Sequence, residues 1–162
     1  MTHSSITELN TLLSKLENLS KKMADILLEE QTLLNASDAK KLIELAKQKK
    51  QIVTLLEQST RVTHKFLLAL NIKNGLYGLS EFIEQQPDDV KAVLQSTWLS
   101  TKKTIQHNKH INDINGSIIE LNRRFTQRSL DVLRGQIGPS NETYGANGQS
   151  HKSTISRNIS IA

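Results

Sequence analysis

Aliphatic residues recur at alternating steps of three and four along most of this chain. That spacing restricts it to long amphipathic helices. In the first block the row is Ile6, Leu9, Leu13, Leu16, Met23, Leu27 and Leu34, interrupted at Ser20 and Glu30. A second row, Leu12, Leu19, Ile26 and Leu33, runs beside it at heptad spacing. Two adjacent rows make an apolar face wider than a two-stranded coiled coil uses, so this helix is expected to touch two or more neighbours. Ser5 and Glu8 offer a reciprocal cap at its start. About thirty residues make it roughly 45 Å long.

Asn35-Ala36-Ser37-Asp38 is a turn built from cap-type residues. A second helix follows through Leu42, Leu45, Ile52, Leu56, Phe66 and Leu70, with Ala46, Val53 and Leu67 alongside. So short a connection folds the two helices back as an antiparallel hairpin. Lys73-Asn74-Gly75 and Gly78 end the second helix, and Leu79, Phe82 and Ile83 suit a short helical turn. Pro87-Asp88-Asp89 opens a third long helix, expected over 88–135. Its first half is weakly apolar (Val90, Val93, Leu94, Trp98, Ile105), and residues 106–117 are rich in Asn and His. A clear seam then passes through Ile111, Ile114, Ile118, Leu121, Phe125 and Val132, with Ile119, Leu130 and Leu133 beside it. Asn115-Gly116 inside a helix costs about 1 kcal/mol relative to Ala and marks an expected weak point or hinge. Gly135 and Gly138-Pro139 stop the helix.

The fold class expected is therefore all-α: a long antiparallel helical hairpin plus a third long helix, an elongated bundle over residues 1–136. Residues 137–162 read as a flexible, disordered C-terminal tail. Half of them are Gly, Ser, Asn or Thr, which leaves too little apolar surface to offset chain ordering. Aromatic residues are only 4% of the chain, which suits leucine packing better than a deep catalytic pocket. There is no Cys, hence no thiol nucleophile or thiolate metal site. No apolar run reaches the roughly 20 residues of a membrane span. The N-terminus lacks the basic start and apolar block of a secretion signal, so a cytoplasmic location is expected.

Net charge alternates along the chain: −2 over residues 1–36, +5 over 37–75, −3 over 76–101 and +4 over 102–136. Alternation suits segments that lie against one another better than it suits nucleic acid, which wants positive charge gathered on one face. The clusters Lys47, Lys49, Lys50 and Arg123, Arg124, Arg128 read as solvated faces or as docking surface for an acidic partner. His107, His110 and Asp113 share metal-ligand spacing but lack further convergent ligands, so no metal is expected. No phosphate loop, triad ordering or His-Glu-x-x-His is present. Neither catalysis nor a cofactor is expected.

Three stretches together resemble the bacterial FlgN family. They are Asn115-Gly116-Ser117-Ile118-Ile119-Glu120, then Ser129-Leu130-Asp131-Val132-Leu133-Arg134, then Tyr144-Gly145-Ala146-Asn147-Gly148-Gln149. The specific likeness covers about residues 112–162, and earlier residues share only the helical pattern. FlgN proteins are flagellar export chaperones for the hook-associated proteins FlgK and FlgL. The resemblance implies ATP-independent binding of the helical C-terminal regions of those clients by Ile118, Leu121, Phe125, Leu130, Val132 and Leu133. It also implies that Tyr144, with Gly145 and Gly148, docks the complex on the export gate protein FlhA. Neither nucleic-acid binding nor membrane insertion is expected, and weak homo-oligomerisation stays open. The rival readings are a self-assembling coiled-coil scaffold and, behind it, a basic helical nucleic-acid-binding protein.

Overall fold

Four helices carry the chain: α1 (His3–Ala36), α2 (Ala39–Ala69), the short α3 (Leu79–Glu84) and α4 (Asp88–Leu133). A computed structural model describes residues 3–135, together with the backbone of residues 143–144 and 150–151. Residues up to Ser117 form one unit and those from Ile118 a second.

The turns between helices form where side chains compete with the helical ladder. Ser37 adopts a left-handed conformation (φ 55°), and the N–H groups of Ser37 and Asp38 close back on the carbonyls of Leu34 and Leu33. Asp38 then caps α2 by accepting the Lys41 N–H at 3.1 Å. That backbone donor, more than the nearby Lys41 ammonium, holds the Asp38 carboxyl below its usual range. After α2, Asn71 and Asn74 are also left-handed, and a 3-10 turn spans Gly75–Tyr77. Gly75 is required there twice over. Its φ is +55°, and a Cβ would collide with the His64 imidazole. The expected helical turn at Leu79, Phe82 and Ile83 is α3, with Leu79 and Ile83 buried.

The first unit holds two apolar clusters. The larger joins Leu9, Leu13 and Leu16 of α1 with Leu67, Ile72, Leu79, Ile83 and Leu94. The smaller joins Met23 and Leu27 of α1 with Ile111 of α4, flanked by Ile52 and Leu56 of α2.

Between and beside these clusters the interior is polar. On α4 the buried residues Leu94, Thr101, Asn108 and Asn115 stand one heptad apart. Asn108 donates its amide N–H to the Ser20 carbonyl at 2.8 Å, and Asn115 donates to the Leu27 carbonyl at 2.9 Å. Residue numbers rise together in the two contacts, so α1 and α4 run parallel, each antiparallel to α2. Asn115 also donates to Glu30 Oε2 at 2.8 Å. Lys49 of α2 reaches both Glu30 oxygens, at 3.0 and 2.8 Å, and Asn112 Oδ1 at 3.0 Å. One carboxylate, one ammonium and two amides thus tie all three long helices together.

One expectation changes here. The acidic α1 and basic α2 were to meet through surface charges. Among the described residues the ion pair joining them is Lys49–Glu30, whose side chains are only 24 and 13% exposed. At the expected weak point or hinge, α4 continues through Asn115-Gly116, and Asn115 is buried in the clamp. An added Cβ at Gly116 would meet nothing within 4 Å, so no close packing requires glycine there.

These observations give opposite expectations for two glycines. Gly116→Ala should stabilise the protein by about 1 kcal/mol and raise its melting temperature by roughly 2–4 °C in thermal circular dichroism. Gly75→Ala should lower it, since the left-handed conformation alone costs about 1–2 kcal/mol with a Cβ. For the clamp, Lys49→Met strands a mostly buried carboxylate and should cost on the order of 2–3 kcal/mol in urea unfolding. Adding Glu30→Leu should restore most of that, giving a large coupling in the double-mutant cycle.

Candidate functional site

The second unit begins at Ile118, one residue past the last turn of the first. Its helical part is the remainder of α4, which ends at Leu133 with Arg134 and Gly135 closing back on Leu130 and Val132. At about 100° per residue, Ile118, Leu121, Phe125 and Val132 fall within roughly 60° of the helix circumference. Ile119, Leu130 and Leu133 form an adjoining row on one flank. Ile118 is half-buried; Leu121, Phe125 and Leu133 are 67, 72 and 83% exposed, and Leu130 and Val132 are exposed as well. All six residues expected to take a client helix therefore lie on one half of the helix, in two apolar rows with Asn122, Thr126 and Ser129 between them. Ile119, which the expected set omitted, belongs to it too and is half exposed. Its spacing to Leu130 and Leu133, eleven and fourteen residues, was the available signal.

The opposite face satisfies itself. Glu120 accepts from Arg123 Nε at 2.8 Å and from Arg124 Nε at 2.8 Å, and Gln127 donates to Asp131 at 2.8 Å. The Arg123 and Arg124 hydrogen bonds pull the Glu120 carboxyl down to about 2, so it is ionised at any physiological pH. Arg123 and Arg124 of the basic cluster are thus engaged with Glu120. The polar side is paired and the apolar side is open. Such a helix offers its water-exposed aliphatics to another amphipathic helix and carries no group poised for covalent chemistry.

The expected seam divides at this point. Ile111 is buried in the first unit's core, whereas Leu121, Phe125 and Val132 are exposed. Spacing alone made them one stripe.

Of the expected gate-docking residues, Tyr144 has a described backbone. It lies in β1 (Thr143–Tyr144), which pairs antiparallel with β2 (Ser150–His151), Tyr144 opposite Ser150. Gly145 and Gly148 lie outside the described residues. His107 and His110 are exposed, and no three metal-ligating side chains converge among the described residues. No described helix is long and apolar enough to cross a membrane.

The family model described as FlgN protein matches residues 1–152. The match runs from α1 through β2, well beyond the stretch after residue 112 that carried the resemblance. No curated protein and no solved structure matches the chain.

Proposed function

The chain belongs to the FlgN family, the flagellar export chaperones for FlgK and FlgL, and from that premise we propose that residues 118–133 hold the client while Tyr144 presents the complex to the export gate. Proteins of this family are cytoplasmic and act by binding, not catalysis. The observation that carries the assignment is the asymmetry of the second half of α4. Leu121, Phe125 and Val132 are exposed in one row and Leu133 in the next, while Glu120, Arg123, Arg124, Gln127 and Asp131 behind them are already paired. On this reading the client ends are amphipathic helices with apolar faces that could associate prematurely. Before export those faces need cover, and an aliphatic face with Phe125 at its centre supplies it.

Tyr144 fits the second role by chemistry. It carries a large ring on few rotors with one polar tip, which is the usual composition of an anchor. The strand pairing places it at one edge of a short antiparallel ribbon. On this reading residues 1–117 are the scaffold, 118–133 the client seat and 137–162 the delivery arm. FlhA is the partner proposed for that arm.

Phe125→Asp should lower affinity for the FlgK C-terminal region at least tenfold in isothermal titration calorimetry. Its circular dichroism and melting temperature should match wild type, because the ring is mostly in water. Tyr144→Ala should leave client affinity unchanged and reduce capture of the chaperone–client complex by the FlhA cytoplasmic domain. Loss of client binding in Tyr144→Ala would overturn the division of roles.

A further inference from the structure

The first unit has a second open apolar surface, in the groove between α2 and α4 beside the 3-10 turn. It encloses about 730 Å³, within the usual size of a ligand pocket. The buried positions of the neighbouring seam are Ser59, Thr63 and Thr101. Thr63 and Thr101 spend their hydroxyls on their own helices, donating to the carbonyls of Ser59 and Thr97. The neutral polar groups of the groove come instead from its walls, where Thr60, His64, Ser80 and Gln106 stand.

Leu76, Trp98 and Ile105 line the groove. Ile105 is half exposed, and Tyr77 at the groove's edge is 92% exposed. Trp98 is held in place, since its indole N–H donates to Ser80 Oγ at 2.9 Å. Around this floor stand Arg61 and Lys65, one turn apart on α2, and Lys102 on α4, 5.9 Å from the Trp98 ring centroid. None of the three forms an ion pair among the described residues. No acidic side chain lines the groove.

We infer that this groove is a docking site for an acidic amphipathic helix of a partner protein, separate from the seat on residues 118–133. The charge pattern specifies the occupant. An apolar row fills the trough over Leu76, Trp98 and Ile105. Carboxylates one turn apart on its flank meet Arg61 and Lys65, and one on the other flank meets Lys102. Two antiparallel helices with an open trough between them favour a third laid along them at a small crossing angle. A single-stranded nucleic acid would be served by rings that stack in succession, whereas Trp98 stands here between the aliphatic Leu76 and Ile105 and is tied by its N–H to Ser80. The inference does not depend on the assignment of the client seat.

Trp98 is the chain's one tryptophan, so its emission reports this groove directly. The probe is a synthetic eighteen-residue amphipathic helix with Leu and Phe on one face and Glu on both flanks. Its controls are a twin with Lys in place of Glu and a single-stranded oligonucleotide. The full-length protein should show a saturable Trp98 shift with the acidic peptide and none with the basic twin. The shift should weaken as salt rises. The double variant Arg61→Glu with Lys65→Glu should bind at least tenfold more weakly while keeping its circular dichroism. Should charge reversal disturb folding, Arg61→Ala with Lys65→Ala should still weaken binding severalfold. The inference is overturned if the acidic peptide gives no shift, or if its basic twin binds as well. It is also overturned if neither double variant changes the affinity, if the oligonucleotide binds more tightly, or if the free protein self-associates through this groove.

Discussion

Glu30 is withdrawn from water with an ammonium and two amides around it, and the register of the three long helices follows from that arrangement. Leucine seams alone are poor at choosing a register, because sliding one helix by a heptad places leucine against leucine again. The carbonyl contacts of Asn108 and Asn115 do not choose either, since every turn of α1 offers a carbonyl. A slip of α4 by one heptad even returns an asparagine to Glu30, Asn108 in one direction and Asn122 in the other. It also places Ile105 or Ile119 where Asn112 meets Lys49. An isoleucine there removes one of the three oxygens that the ammonium contacts. The Lys49–Asn112 contact is thus the one that a slipped bundle cannot reproduce, and the mostly buried Glu30 is what makes the loss costly.

The same logic explains why the interior is sparse in large apolar groups without being loose. Ser20, Glu30, Lys49, Ser59, Thr63, Thr101, Asn108 and Asn115 all stand on the faces that point into the bundle. Each shortens the apolar seam. Most are answered across the interface or by their own helix: Glu30 and Lys49 through each other, Asn108 and Asn115 through carbonyls of α1, Thr63 and Thr101 through carbonyls one turn back. Stability is drawn mainly from the two leucine clusters, and specificity from the polar positions between them.

Aliphatic spacing and cap chemistry were enough to read α1, α2 and α4 from the sequence, because both are local. Asp38, the asparagines near residue 71 and Pro87 mark their ends within a residue or two. The polar clamp was not legible, because counting apolar residues treats Ser20, Glu30 and Lys49 as gaps when they are interior positions with distant partners. Lys49 falls in the α2 seam between Leu45 and Ile52, yet only Glu30, nineteen residues earlier, and Asn112 reveal why. The polar run before Ser117 looked like a hinge for the same reason. On the candidate site, periodicity found the face but could not say which part was covered, so Ile111 and Phe125 read alike. The strand pair at Tyr144 and Ser150 is too short for any alternation to announce it.

The contrast between clamp and seat bears on how one chaperone serves two clients. Within the first unit, buried polar groups reject every register but one. The face formed by Ile118, Leu121, Phe125 and Val132 has only Arg128 and Ser129 at the middle of its seam, neither of them buried, so a helix that enters shifted by a heptad strands no buried polar group there. On the proposed reading such a surface recognises amphipathicity and width, not a particular sequence, which lets FlgK and FlgL use the same seat. It also keeps the complex releasable, because removal of a client strands no buried charge. Transplanting the selectivity of the clamp would test that argument. An asparagine at Leu121 should discriminate strongly between the two clients according to which presents a polar group at the matching height. The unaltered face should bind both with affinities within about an order of magnitude, as paired calorimetric titrations would report.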